Sequence, residues 1–151
     1  MKGEFLMLLL GLKNVSTQSV ATDGFVNLGN VYRKYCRKCN GITTFATNGE
    51  SVSLQQPGFY HITFTAVASG DVAGDVTFQL LENSEVVTGA LTTQTITTAT
   101  TELRTFVIDY YILVNSTCVL GTSTALKTLA VQSIGVDTTI ESVIFNVEKV
   151  I

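Results

Sequence analysis

One stretch limits what this chain can become. After Gln55-Gln56 comes Pro57, the only proline, then Gly58, and then ten residues that alternate without a break. Tyr60, Ile62, Phe64, Ala66 and Ala68 fall on one side; Phe59, His61, Thr63, Thr65 and Val67 fall on the other. A period of two with aromatic and β-branched side chains is the signature of a strand, and the Pro-Gly pair supplies the turn that starts it. The even side is suited to a core. The odd side is mixed.

The same reading extends along the chain. Asp75–Asn83 places Val76, Phe78 and Leu80 on one face, and a turn at Glu82–Ser84 reverses it into Glu85–Gly89. Ala90–Thr101 is almost pure threonine around Leu91 and Ile96, which suits a surface or edge strand. Asp23-Gly24 predicts a tight hairpin within Asn14–Gly29, with Ala21 opposite Val26. Asn48-Gly49 predicts a two-residue hairpin that sets Phe45 against Val52 and Thr43 against Leu54. Thr117–Leu120, Lys127–Ser133 and Thr139–Ile151 complete a set of short strands separated by regular turns. The last of them carries Val143, Phe145 and Val147 on one side and Ile144 opposite. No long helical pattern, repeat or linker interrupts them, so the chain reads as one all-β sandwich.

At this point the residues resemble a family. A Pro57-Gly58-Phe59-Tyr60 turn entering a central strand, together with a buried closing strand, is similar to the tumour-necrosis-factor-like jelly rolls. That family includes the globular heads of collagen-like proteins and small trimeric heads on phage particles. The resemblance implies a jelly-roll β-sandwich over residues 14–151, assembled as a homotrimer, and a non-enzymatic role. Two roles fall within it: a head-fibre or capsid decoration protein on a virion surface, assembled in the host cytoplasm, or a receptor- or glycan-binding head.

Composition bears on the assembly. Of 151 residues, 46% are hydrophobic and only 14% charged, against about a quarter charged in an ordinary soluble domain. Glu102–Val114 shows where the excess goes: Phe106, Ile108, Tyr110 and Ile112 occupy one face, and Val107, Tyr111 and Leu113 the other. A strand apolar on both faces needs cover on both, which predicts that Val107, Tyr111 and Leu113 meet another copy of the chain.

The attachment residues are read from two segments. Phe5–Leu12 follows Lys2 like a short export signal, but Glu4 interrupts its basic start and no small-x-small cleavage site follows. Residues 1–13 are therefore expected to be an apolar arm or an added strand, with Phe5, Leu6, Leu8, Leu9 and Leu10 available to grip a capsid or fibre protein. Asn30–Gly41 gathers Arg33, Lys34, Arg37 and Lys38, four of the nine basic residues, into either a solvated loop or a contact for an acidic partner.

Reactive chemistry is sparse. His61 is the only histidine, mid-strand beside aromatics, and reads as a partly buried ring with a hydrogen-bond partner. Asp71, Asp75, Glu82 and Glu85 lie near turns in no calcium-loop spacing. Cys36-x-x-Cys39 is half a zinc site, and Cys118 does not repeat the spacing, so free or structural thiols are expected. No cofactor and no metal is expected. A net charge of −3 disfavours nucleic acid, and no apolar run is long enough for membrane insertion as a helix. For a glycan, Tyr32 and Tyr35 are the aromatic candidates; Tyr110 and Tyr111 are assigned to core and interface.

Overall fold

The computed structural model describes residues 7–37, 45–115 and 127–150. Among them are eleven strands: β1 (Met7–Asn14), β2 (Gln18–Val20), β3 (Asn30–Arg37), β4 (Phe45–Thr47), β5 (Val52–Leu54), β6 (Gly58–Gly70), β7 (Gly74–Glu82), β8 (Glu85–Ile96), β9 (Arg104–Val114), β10 (Lys127–Gly135) and β11 (Thr138–Lys149). They form two antiparallel sheets. Sheet A runs β3-β1-β11-β6-β9, with β2 also on β11; sheet B runs β4-β5-β10-β7-β8. Consecutive strands repeatedly change sheet, as in a jelly roll. The expected strand at Thr117–Leu120 lies outside the described residues.

The alternation in β6 explains the core. Tyr60, Ile62, Phe64, Ala66 and Ala68 all point inward and are buried, joined by Phe106, Ile108 and Ile112 of β9 and by Val143, Phe145 and Val147 of β11. Sheet B answers with Val76, Phe78 and Leu80, and with Leu129 and Val131. Phe78 stands between two rings of sheet A. Its centroid is 5.6 Å from that of Phe64 in a tilted contact and 4.9 Å from that of Phe106 in an edge-on contact at 85°. Edge-on pairs place a ring's positive rim on its neighbour's negative face, adding about 0.5–1.5 kcal/mol each to the burial itself. Tyr60 is buried as well, and its hydroxyl donates to the Gln56 carbonyl at 2.6 Å, tying the Pro57-Gly58 turn to the core. Burial pushes its phenol well above the ordinary range.

Of the arm and the added strand expected within residues 1–13, the strand is found: Met7–Asn14 is hydrogen-bonded to β11 on one side and β3 on the other. Leu8, Leu10 and Leu12 alternate inward and are at most 1% exposed, so Leu8 and Leu10 are not available to grip a partner. Only Leu9 faces out; Phe5 and Leu6 lie outside the described residues. The Asp23-Gly24 turn does not close the expected hairpin. β2 before it pairs with β11 in sheet A, while Phe25 after it bridges Gln132 in sheet B. The turn carries the chain across the sandwich, held by Gly24 N–H on the Ala21 carbonyl at 2.8 Å. The Asn48-Gly49 hairpin is real but longer. Thr47 pairs with Val52 and Phe45 with Leu54, so four residues form the loop. Asn48 dictates this: its Oδ1 accepts from Glu50 N–H, Ser51 N–H and Ser51 Oγ at 3.1, 2.8 and 3.0 Å. An asparagine side chain that satisfies two backbone donors stabilises the wider loop. By contrast, Asn83 and Ser84 have φ of 52° and 69°, the left-handed pair that a tight two-residue turn between β7 and β8 requires.

At the opposite end the β8–β9 connection is organised by Glu102. Its carboxylate accepts from Thr97 N–H, Thr97 Oγ1 and Thr98 N–H at 2.9, 2.8 and 3.0 Å, and it pairs with Arg104. These donors, led by the Thr98 backbone, hold the carboxyl down at about 2 from an ordinary 4.5.

Two measurements check this description. Leu10→Ala removes a fully buried side chain and is expected to cost about 2–5 kcal/mol in denaturant unfolding, whereas an arm residue would cost almost nothing. The stability that Glu102 contributes is fully present above pH 4.5 and lost as pH falls through about 2, because its folded value lies below its unfolded one. Glu102→Gln should therefore lower the melting temperature at neutral pH, and the gap between variant and parent should narrow steadily below pH 4.5.

Candidate functional site

With the inner faces buried, the outer faces decide what the molecule can meet, and the two sheets differ. On sheet B the outward polar residues of β7 pair with their neighbours, with exposed Leu91 and Val86 of β8 among them. Thr77 Oγ1 meets Thr93 Oγ1 at 2.7 Å, Thr95 Oγ1 donates to Asp75 at 2.6 Å, and Gln79 Nε2 donates to Gln132 Oε1 at 2.9 Å. The threonine-rich β8 is the edge strand of this sheet.

Sheet A presents a different surface. Register lines its outward side chains into rows across the strands. Tyr111, His61, Glu148, Leu9 and Tyr35 form one row; Asp109, Thr63, Asn146, Gly11 and Arg33 form the next. Val107, Thr65 and Ile144 lie beyond them on one side, and Leu113 and Phe59 on the other. Over β9, β6 and β11 five large apolar side chains thus share this face: Val107, Tyr111 and Leu113 are 50, 58 and 44% exposed, and Phe59 and Ile144 both 43%. They flank a polar centre.

That centre is built on His61. Its ring stacks on Tyr111 with centroids 4.5 Å apart and planes 15° from parallel. Its Nε2 donates to Asp109 Oδ1 at 2.5 Å, one row over. The expected partnered histidine is therefore present, half-buried on the outward side of the strand. Beside it, Tyr32 is the extra residue of a bulge where β3 slips against β1 between Gly11 and Leu12. The bulge turns its ring flat across Gly11, where a Cβ would come within 2.7 Å of it. Its hydroxyl reaches Asn146 Oδ1 on β11 at 2.9 Å. Tyr32 thus latches the edge strand across β1, with its ring over Gly11 and Lys13 Nζ 5.4 Å from its centroid. Tyr35 is exposed on the outward row, and Tyr110 is partly buried against the core.

The structure separates other residues that are grouped in the sequence. Alternation in β3 sends Arg33 to the outer face of sheet A and Lys34, beside the core-facing Cys36, to the opposite side. They do not form one basic patch; Arg37 ends the strand, and Lys38 lies outside the described residues. Cys36 is disulfide-bonded, which corrects the expectation of a free thiol for that residue. Cys39 and Cys118 lie outside the described residues. The acids are dispersed: Asp71 accepts from Thr139, Asp75 from Thr95, and Glu82 pairs with Lys127. No group of three metal-ligating side chains occurs among the described residues. No helix among them is long and apolar enough to cross a membrane.

No family model matches the sequence, and no curated protein matches it significantly. Solved structures do match. The globular domain of zebrafish complement 1qA superposes with a TM-score of 0.64 at 9% identity, over 95% of this chain and 98% of that one. The tumour necrosis factor Eiger from S. frugiperda gives 0.66 at 12%, over 97 and 94%. The vertex protein P5 of PRD1 gives 0.59 at 15%, over 98 and 100%. The fold is a tumour-necrosis-factor-like jelly roll. At these identities the likeness extends to the fold alone.

Sequence reasoning singled out Val107, Tyr111 and Leu113 but missed Phe59 and Ile144. Both were legible as outward residues; only the register of β6 with β9 and β11 places them beside the other three.

Proposed function

We propose that this chain is a non-enzymatic head domain that works as a homotrimer on the surface of a virus particle, as a head-fibre or capsid decoration protein. The observation that carries the reading is the outer face of sheet A. Five half-exposed apolar side chains around a paired histidine and aspartate are far more than a free sheet face needs, and a second copy is the natural cover. The jelly-roll fold supports self-association of this kind, since the family it resembles assembles as trimers. The likeness to a phage vertex protein along its whole length favours the virion over other settings. Phe5 and Leu6, ahead of β1, and Arg33, on the exposed edge strand, are the proposed contacts with a capsid or fibre protein.

The test is to place a charge in the proposed interface. Val107→Asp or Leu113→Asp introduces a carboxylate where the reading requires a dry contact, a penalty of several kcal/mol when the ion finds no partner. Both side chains are exposed in the single chain, so the fold itself should survive. Light scattering is expected to give a trimer for the parent and a monomer for the variants, with unchanged circular dichroism. A trimer that persists in both variants refutes the interface.

A further inference from the structure

At one corner of the sandwich, the Asn30 end of β3 faces the tip of the β4–β5 hairpin across an open cleft of about 800 Å3. That size suits a small ligand. Three chain reversals meet there, and each is built on an asparagine. Asn14 Oδ1 accepts from Ser16 N–H at 2.9 Å, Asn27 Oδ1 from Gly29 N–H at 2.9 Å, and Asn48 Oδ1 from Glu50 N–H at 3.1 Å. Asparagine is favoured at such turns because its side chain imitates a backbone carbonyl.

The consequence is chemical. These bonds fix each carboxamide with its oxygen toward the turn backbone, which leaves the N–H groups as the outer edge of the side chain. Asn14 Nδ2 gives one proton to the Asn27 carbonyl at 3.1 Å. Asn27 Nδ2 and Asn48 Nδ2 have no acceptor among the described residues, and the Asn30 side chain has no hydrogen bond there at all. Lys13 Nζ adds a cation to the same wall, 5.4 Å above the Tyr32 ring, with no carboxylate partner among the described residues. On a chain with twelve acids and nine bases, no Asp or Glu lines this cleft. The surface is therefore rich in donors, carries one positive charge, and is edged by the exposed apolar side chains Val15 and Val31.

We infer that the cleft binds a carboxylate-bearing saccharide. Lys13 meets the carboxylate, and the carboxamide N–H groups of Asn27, Asn30 and Asn48 meet hydroxyl and ring oxygens. A saccharide fits because it combines many weak acceptors with C–H faces that suit the valines. A nucleotide fits less well: Tyr32 is the one aromatic ring among the described residues lining the cleft, and Lys13 Nζ stands 5.4 Å over it. A bare phosphate prefers several cations or bidentate guanidinium groups, and the cleft holds a single lysine. The site goes beyond the surface role proposed above, and it lies within one chain, so it does not depend on how copies assemble.

The side-chain amide signals of Asn27, Asn30 and Asn48 in a nitrogen-15 correlation spectrum of the full chain report on the cleft directly. Titration with N-acetylneuraminic acid and with glucuronic acid is expected to shift them, with glucose and inorganic phosphate as comparison ligands. Lys13→Ala should weaken the acid sugar by about tenfold, the worth of one charged hydrogen bond. Asn30→Asp, at a side chain with no structural bond, should abolish binding by adding a like charge. Absence of shifts with both acid sugars overturns the inference, as does equal binding of glucose or of phosphate, or a Lys13→Ala variant that binds like the parent. Solution mass is recorded on the same samples, so a failed trimer and an empty cleft are told apart.

Discussion

Phe78 holds the two sheets at a fixed spacing and orientation. It is the ring from sheet B that enters between Phe64 and Phe106 of sheet A, and each of these three residues is completely buried. A single position commits the alternation of a whole strand: once Phe64 points inward, His61, Thr63 and Thr65 must point out. The same holds for Phe106, whose placement turns Val107, Tyr111 and Leu113 toward the exterior. The outer face of sheet A is therefore a by-product of core packing in its geometry. Its chemistry is another matter. Nothing in the core demands that β9 be apolar on its second face. On sheet B the outward residues Asp75, Thr77 and Gln79 of β7 pair with Thr95, Thr93 and Gln132, and exposed apolar residues on that face, Leu91 and Val86, stand among these polar pairs. The apolar side chains of sheet A are gathered around one polar centre, and this is the reason association is proposed for sheet A.

The strands around that core were legible because their information is local. In β6 and the first part of β7 most inward residues differ from the outward ones in size or polarity, and in β9 and β11 the run of aromatic and β-branched residues marks a strand, so the period of two can be laid down without knowing any neighbour. β1 was not legible in the same way. Leu8, Leu9, Leu10 and Leu12 show no alternation, and an apolar run of that kind suits an arm as well as a strand between two partners. The turns failed for a related reason. Asp23-Gly24 announces a reversal, but whether it closes a hairpin or changes sheet depends on distant partners, β11 for the strand before it and Gln132 for Phe25 after it. Asn48-Gly49 does close a hairpin, with a loop length set by the bonds of the Asn48 side chain.

The candidate site follows the same rule. Val107, Tyr111 and Leu113 could be read from one strand, and Phe59 and Ile144 could not join them until pairing was known. The basic cluster misled in the opposite direction: residues adjacent in sequence, Arg33 and Lys34, are sent to opposite sides by a strand. The asparagines of the cleft belong to three separate turns, so no window of sequence contains them together. Their common feature, oxygens turned to the backbone and N–H groups turned away from it, is a property of turn geometry rather than of composition.

The central claim is that the outer face of sheet A is covered in solution, and hydroxyl-radical footprinting of the unmodified chain tests it most directly. In the single chain Tyr111 is 58% exposed, comparable to Val72 at 56% and Val86 at 52%, which lie away from that face. Each side chain's oxidation rate, normalised to its intrinsic reactivity, then reports its cover. If copies meet through sheet A, Tyr111, Leu113 and Phe59 should be strongly protected at working concentration and become reactive on dilution, while Val72 and Val86 react throughout. Tyr111 reacting as freely as Val72 and Val86 at every concentration would contradict the claim.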